Sequence, residues 1–310
     1  MAKKVSFLDK FQFVFGTALF CFCIFLLVRS LGHFRYRDIM REIGNLPLEN
    51  ILLAVILTFA NFMEFIVYDF LAIRNFQHKV GTRSLVFGTF VSFSVVNTAG
   101  YSLITGSTLR RFLYRDAQLT YLDCLKIVVF NGITLLLGLI LMNGIGFLLN
   151  GGYIAGRLQI PKSNVQVAGF VFLLMICLYV LATIFYKKPL IIKTAEFRLP
   201  SPAVTLGQFL LGALDLLLIG SVLYCLLPAR FNPSFFQYFS VFLLSFLSGI
   251  ISTVPGGLGV FELCMVYFLS PHLSQSAILG SLLAFRGIYY LFPLLLGLAT
   301  FTIHVLVTKK

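Results

Sequence analysis

The stretch that decides the fold is Ser252-Thr253-Val254-Pro255-Gly256-Gly257-Leu258-Gly259, which interrupts an otherwise apolar block over residues 235–271. A proline and several glycines this close together break a helix. Irregular backbone of this kind occurs at membrane depth only where protein buries it or where it lines a wet cavity. The pattern therefore predicts a buried, non-helical turn made by Pro255, Gly256, Gly257 and Gly259, with Glu262 on a short helix after it.

The composition of the whole chain is that of a membrane protein. It is 59% hydrophobic and 11% charged, whereas a typical soluble domain is about 25% charged. Several apolar blocks reach the ~20 residues that a span requires; they lie at 11–31, 50–71, 84–106, 120–149, 165–186, 204–227, 235–254, 256–271 and 276–307. These blocks predict an all-α polytopic protein with about 7–9 transmembrane helices, two of whose segments are re-entrant and broken by Gly or Pro.

Residues 1–310 are expected to form a single transmembrane domain. Arg35 to Glu49 is rich in charge and is predicted to be an interfacial amphipathic segment. The glycine-rich stretch from Asn150 to Asn164 is predicted to be a loop. The basic, proline-containing stretch from Lys187 to Pro202 is predicted to connect two halves, 1–186 and 204–310.

A second broken segment lies in the block at 84–106, where Asn97 and Gly100 are the expected structural positions. Val96-Asn97-Thr98-Ala99 is similar to Ile251-Ser252-Thr253-Val254, and a glycine follows each within two residues. Interrupted segments at corresponding places in two halves indicate an inverted repeat with a binding site at its interface. The likeness is short, so chance resemblance is the alternative.

Basic residues provide a test of topology. If block 84–106 crosses the membrane fully, the Lys and Arg residues divide almost evenly between the two sides. If the block returns to its own side, the division becomes nearly two to one and obeys the positive-inside rule. We therefore predict a re-entrant hairpin there and a cytoplasmic N-terminus.

The net charge of +13 comes from the same basic residues in the loops between spans. Basic residues in such loops interact with anionic lipid headgroups, so the charge does not indicate that the protein binds nucleic acid. The six cysteines lie inside apolar blocks and show no zinc or disulfide spacing. The four histidines are scattered, so neither a metal site nor a cofactor is expected.

Ionisable side chains within spans are costly and suggest function. The candidate substrate-binding residues are Glu64, Asp69, Arg110, Asp215, Glu262 and Arg286. A structural alternative is that Glu262 or Asp215 pairs with Arg286 to join two helices. Arg110 is either an ordinary flanking charge or a grip for phosphate, which Arg binds bidentately. We expect Asp69, Arg110, Asp215, Glu262 and Arg286 to converge on one cavity that is reachable from the cytoplasmic leaflet, because charges at depth need mutual compensation.

A resemblance to a known family rests first on the second half of the chain. The residues that carry it are the run Val254-Pro255-Gly256-Gly257-Leu258-Gly259-Val260-Phe261-Glu262, then Arg286, the pair Tyr289-Tyr290, and Pro293. With them the chain resembles the transmembrane domain of lysylphosphatidylglycerol synthase/flippase proteins of the multiple peptide resistance factor type. Asn97-Thr98-Ala99-Gly100, Gly106 and Arg110 are similar to that family too, so the likeness covers nearly the whole chain.

The resemblance implies a multi-pass protein of the bacterial inner membrane that flips aminoacylated phosphatidylglycerol from the inner to the outer leaflet. It implies that lysyl lipid in the outer leaflet makes the membrane surface less negative and so gives resistance to cationic peptides. The resemblance also places Asp69, Arg110 and Asp215 where the family tends to carry charge. In full-length relatives a cytosolic domain makes this lipid from aminoacyl-tRNA. This chain ends at Lys310 after the last predicted span, so we expect no enzyme activity, and a separate lipid aminoacyltransferase as a partner.

Two rival function classes stay open. A membrane-embedded lipid-modifying enzyme needs converging catalytic groups, whereas the acids here are spread about one per block. A transporter of another lipid-linked or small solute would enclose its polar residues away from lipid, whereas a flippase would keep a groove open to lipid. The sequence leaves the headgroup, the energy coupling and the oligomeric state undetermined.

Overall fold

The computed structural model describes residues 36–99, 102–114, 117–186, 190–192, 195–197 and 199–308. The first predicted span, 11–31, and the motif residue Gly100 lie outside these ranges. The described chain forms the helices α1 (Tyr36–Gly44), α2 (Leu48–Asn75), α3 (Thr82–Ala99), α4 (Ser102–Leu113), α5 (Tyr121–Leu158), α6 (Lys162–Phe185), α7 (Pro202–Cys225), α8 (Phe235–Ile251), α9 (Val260–Leu269), α10 (Gln275–Phe285) and α11 (Phe292–Thr308).

Within the described ranges, five helical stretches are long and apolar enough to cross a membrane. They are α2, α5, α6, α7 and a continuous run from α10 through a π-helical segment, Arg286–Leu291, into α11. The last run crosses once. The rings of Phe301 and His304 near its end lie 5.8 and 4.7 Å from those of Phe112 and Phe87, whereas Gly280 near its start packs against α1. The predicted all-α polytopic membrane fold is confirmed.

Helices α3 and α4 form the first predicted hairpin. The middle of α3 lies beside the end of α4, since Thr89 Oγ1 is 3.0 Å from the hydroxyl of Tyr114, which follows α4 directly. Near the tip, a Cβ placed on Gly106 would lie 3.3 Å from Val96. The two arms are therefore antiparallel and return to the end where they began, as predicted. The hairpin extends to Leu113 rather than to 106, because α4 runs from Ser102 to Leu113.

Helices α8 and α9 form a second hairpin around the Pro-Gly-Gly turn. Phe231 and His272 at its base lie 6.3 Å apart, and Gly257 in the turn packs against Gly249 near the end of α8. Thr253, Gly256, Gly257 and Gly259 all have positive φ, a conformation that glycine adopts without steric cost. The predicted non-helical turn is thus present, and it joins two hairpin arms rather than two separate spans.

The two hairpins enter the molecule from opposite ends. The first has its base beside the end of α2, and the second has its base beside α1, where Arg230 pairs with Glu42 at 3.0 Å. Their tips meet: a Cβ on Gly256 would lie 3.9 Å from the Asn97 carbonyl oxygen, and Thr98 Oγ1 donates to Tyr290 O at 3.4 Å. The opposite directions of the two hairpins are those that the predicted inverted repeat requires.

The prediction of a loop from Asn150 to Asn164 is wrong. Helix α5 continues to Leu158 with a kink at Asn150 (φ −117°, ψ 15°). The Asn150 amide donates to Phe236 O and Ser240 Oγ, and Gly151 lets α6 approach so closely that a Cβ there would lie 3.2 Å from Val165. This packing outweighs the ~1 kcal/mol that a helical glycine costs.

Two segments outside the long helices correspond to the stretches that were predicted as an interfacial segment and as a connector between two halves. Helix α1 is amphipathic, and it buries Ile39 against α10. The connector after α6 contains a short antiparallel pair of strands, β1 (Leu190–Ile192) and β2 (Ala195–Phe197). By the positive-inside rule, the basic residues counted in the sequence predict that the end of the molecule where α2 and α4 terminate faces the cytoplasm.

Candidate functional site

A cavity of about 300 Å³ lies where the two hairpin tips meet. Its wall includes backbone from both broken segments, at Asn97, Gly256 and Gly257, and side chains from the long helices around them. Most of the lining is apolar or aromatic, with a few charged groups placed in it. That combination is typical of a site for an organic ligand with a polar head. The three charged residues in the wall are Arg110, Asp215 and Arg286.

Arg110 forms a buried ion pair with Asp69. Its Nε and Nη2 each donate to one carboxylate oxygen at 2.9 Å, which is the bidentate geometry. Asp69 is fully buried and also accepts from Thr89, Tyr114 and Asn131 at 2.6–3.0 Å. Asp69 therefore lies behind the cavity wall as the counter-charge of Arg110. Arg110 is on the last turn of α4, where a cation also complements the helix dipole.

Arg286 forms a second ion pair, with Glu262. Its Nε and Nη2 lie 2.8 and 2.6 Å from Glu262 Oε1, and its Nη1 donates to Gly256 O at 3.0 Å. Glu262 Oε2 accepts from the Gly259 backbone N–H at 2.7 Å, so it also caps the start of α9. Glu262 therefore makes the structural ion pair with Arg286 that the sequence analysis gave as an alternative for Glu262 or Asp215. Arg286 nevertheless lines the cavity, and this pair holds the turn against the π-helical segment.

Asp215 contacts no cation in the part of the chain that the structure describes. The carboxylate accepts from Asn61 Nδ2 at 2.7 Å and from Tyr68 Oη at 3.2 Å. Tyr289 donates to Asn61 Oδ1 at 2.6 Å, which links this network to the π-helical segment beside Arg286. Asp215 therefore faces the cavity with its negative charge held only by neutral donors.

Glu64 lies one helical turn from Asn61 and is buried, outside the cavity wall. Its Oε2 is 3.4 Å from Asn61 Nδ2, and its Oε1 is buried with no hydrogen-bond partner among the described residues. Two acids, Glu64 and Asp215, thus share one amide group. Of the two, only Asp215 lines the cavity.

The five charged residues that were expected to converge lie together, but only three of them line the cavity. Arg110, Asp215 and Arg286 line the cavity, while Asp69 and Glu262 stand directly behind the two arginines. Asn131, which sequence reasoning missed, also lines the cavity and donates to Asp69. The available signal was an amide inside the apolar block at 120–149, where Asn131 and Asn143 are the two asparagines; polar side chains at that depth are uncommon.

The arrangement suits a headgroup that carries both signs of charge. Each cavity arginine commits three of its five N–H groups to protein acceptors. The remaining N–H groups are donors for an anion. The rings of Phe93 and Tyr290 lie under Arg110 and Arg286 at 4.9 and 4.5 Å, which keeps both guanidinium planes oriented. A cation can bind beside Asp215.

Known proteins with similar sequences agree with this architecture. The family model for the lysylphosphatidylglycerol synthase TM region matches residues 13–297. The chain is 33% identical over 281 residues to uncharacterized protein slr0712 of Synechocystis, which covers 90% of this chain and 87% of that protein. It is 27% identical over 289 residues to inner membrane protein YbhN of Escherichia coli, with 93% and 90% covered.

A further relative is phosphatidylglycerol lysyltransferase of Staphylococcus aureus, 23% identical over 298 residues. That match covers 93% of this chain but 33% of the relative, so the chain spans about a third of its length. The family description and this name connect the matched region with membrane lipids. Because the family model covers nearly the whole chain, the protein belongs to the lysylphosphatidylglycerol synthase TM region family.

Proposed function

We propose that this chain moves the headgroup of an aminoacylated phospholipid, lysylphosphatidylglycerol, from the inner to the outer leaflet of the bacterial inner membrane. One observation carries the proposal. A single cavity, between two hairpins that enter from opposite ends, presents two arginines with uncommitted N–H groups and a carboxylate without a cation partner among the described residues.

The arginines suit the phosphate of such a lipid. Arg110 and Arg286 are each neutralised from behind, by Asp69 and Glu262. The empty cavity therefore does not hold two uncompensated cations, whose cost at membrane depth would be at least about 2.5–3.5 kcal/mol each. A phosphate that enters adds charge-assisted hydrogen bonds without breaking either pair.

Asp215 and Glu64 suit the amines. Lysylphosphatidylglycerol carries two ammonium groups and one phosphate, so its head is cationic overall. Asp215 in the wall offers a carboxylate for one ammonium group, and Glu64 lies next to it through Asn61. The head would thus fit between acids on one side and arginines on the other, while its acyl chains stay in the bilayer.

The meeting of the hairpin tips suits passage between leaflets. The hairpins divide the path into two halves, and the glycines at the tip let backbones pack closely there. A small relative shift of the tips would expose the cavity to one side and then to the other, as in transporters with inverted repeats. The proposal assigns translocation to this chain, with synthesis of the lipid by a separate aminoacyltransferase and a contribution to cationic peptide resistance.

The test uses a strain that makes lysylphosphatidylglycerol and lacks this chain. The strain is complemented with wild type, Asp215→Asn, or Asp123→Asn as the matched control, because the Asp123 carboxylate lies outside the cavity and accepts from the Thr120 backbone N–H at the start of α5. Total lysyl lipid is measured by mass spectrometry, and the outer-leaflet fraction is measured with an amine reagent that does not cross the membrane. We expect Asp215→Asn to lower the outer-leaflet fraction without changing the total.

Two results would contradict the proposal. A fall in total lysyl lipid in the deletion strain would mean that the chain takes part in synthesis. An unchanged outer-leaflet fraction in both the deletion and the well-expressed Asp215→Asn strain would mean that this lipid is not the substrate.

A further inference from the structure

A second hollow lies on the outer side of the first hairpin, away from the central cavity. It is a groove of about 470 Å³ along α3, between α2 and α11. Met63, Val86, Phe87 and Phe90 make its long walls apolar, and both Met63 and Val86 are exposed. A groove with this lining, on the membrane-facing side of a span, has the shape and polarity to take a hydrocarbon chain.

The groove has one polar end, formed by Thr82 and Arg83 on the first turn of α3. Arg83 is exposed and makes no ion pair within the described ranges, and the first turn of α3 contains no acid. The helix N-terminus adds partial positive charge there. This end lies on the basic side of the molecule, near Arg74 and Lys79 in the sequence. It therefore attracts a negative group at the membrane surface.

The polar end and the apolar walls of the groove are close enough for the phosphate and one acyl chain of a single phospholipid to contact both. Arg83 and Phe90 are seven positions apart on α3, which is ~10 Å along a helix. That span runs from headgroup level about a third of the way through the ~30 Å hydrocarbon core. A soluble anion would use only the arginine, whereas a phospholipid uses the arginine and the apolar walls together.

We propose that this groove is a docking site for an anionic phospholipid of the cytoplasmic leaflet, with its phosphate at Arg83 and one acyl chain against Met63, Val86 and Phe90. The walls pack against neighbouring rings. The ring of Phe87 lies 4.7 Å from that of His304, and the ring of Phe90 lies 5.4 Å from that of the buried Phe62.

The groove is separated from the central cavity by a layer of aromatic rings. Phe62 contacts Phe90 on the groove side and Tyr289, at 6.5 Å, on the cavity side. Docking in the groove does not depend on headgroup translocation. If the proposed function holds, the groove is the place where a lipid waits before its head enters the cavity.

The experiment measures binding in detergent, where no transport takes place. The full chain is purified, delipidated and incubated with phosphatidylglycerol or with phosphatidylcholine of the same acyl chains, and bound lipid is counted by native mass spectrometry. Arg83→Gln removes the phosphate partner and Val86→Trp fills the groove. Arg111→Gln is the matched control, since Arg111 is an exposed arginine at the same end outside the groove.

We expect wild type and Arg111→Gln to retain phosphatidylglycerol in preference to phosphatidylcholine. Arg83→Gln should weaken phosphatidylglycerol binding about fivefold, which corresponds to about 1 kcal/mol per basic residue at an anionic surface. Val86→Trp should reduce binding of both lipids. The proposal is overturned if Arg83→Gln binds like Arg111→Gln, or if the two lipids bind wild type equally. Arg83→Gln changes only an exposed side chain, so the test stands even if Val86→Trp fails to fold.

Discussion

The same substitution should destabilise the protein strongly at one buried aspartate of the site, Asp69, and hardly at all at the other, Asp215. Asp69→Asn replaces a carboxylate that accepts five hydrogen bonds by an amide of the same shape. In either orientation of that amide, its NH₂ group would face an N–H of Arg110, because Nη2 donates to Oδ1 and Nε donates to Oδ2. The guanidinium, 2% exposed, would remain buried without its counter-charge.

The expected loss for Asp69→Asn is about 3–5 kcal/mol of unfolding free energy, the range for a buried ion pair that loses one partner. Asp215→Asn is the matched comparison. Its donors are the Asn61 amide and the Tyr68 hydroxyl, and a hydroxyl can accept as well as donate. An amide at position 215 therefore keeps both contacts, so we expect a change within about 1 kcal/mol.

The assay is reversible unfolding in mixed micelles, followed by helical circular dichroism, for wild type and both variants. The double variant Asp69→Asn with Arg110→Gln should recover part of the loss, because it removes the stranded charge. The reasoning is refuted if Asp69→Asn is as stable as Asp215→Asn, or if Asp215→Asn loses as much as Asp69→Asn. Either result would mean that the partners seen in the structure do not decide which acid supports the fold.

Three further predictions follow from the packing. Gly257→Leu should abolish transport at normal expression in the leaflet assay, because the residue has φ +62° and a Cβ there would press on α8 at 3.2 Å. Gly138→Val should prevent accumulation of folded protein in membranes, since a Cβ would lie 2.3 Å from the backbone of α7, whereas Gly156→Ala, with open space around it, should keep wild-type levels. Single cysteines at Lys79 and Arg111, in a cysteine-free background, should react with an impermeant thiol reagent from the same side, and reaction from opposite sides would contradict the first hairpin.

The hairpin at 84–106 could be predicted without coordinates, apart from its exact end. Glycine, a polar asparagine and flanking arginines are local features, and each has a strong preference for irregular backbone or for the cytoplasmic side. The same local reasoning failed at Asn150 to Asn164. There, glycines that usually indicate a loop serve instead as contact points between α5 and α6, which depends on a neighbouring helix.

The roles of the charged residues could be predicted only as a set. Six residues were selected because ionisable groups at membrane depth need a reason to be there. The sequence did not show which acid pairs with which base. The partners are 24 residues apart for Glu262 and Arg286 and 41 apart for Asp69 and Arg110. Glu64, expected at the site, contacts Asn61 outside the cavity wall instead.

The sequence by itself determined the apolar, all-α character and the position of the Pro-Gly-Gly break, because hydropathy and backbone preference depend on a few neighbouring residues. The cytoplasmic side stays a prediction from loop charge. Only the tertiary structure decided that Asp69 and Glu262 are neutralised behind the wall while Asp215 faces the cavity. Whether a helix turns a given side chain toward a cavity or toward a partner depends on how distant helices pack. Asn61 and Asp215, which share a hydrogen bond across 154 residues of chain, meet only through that packing.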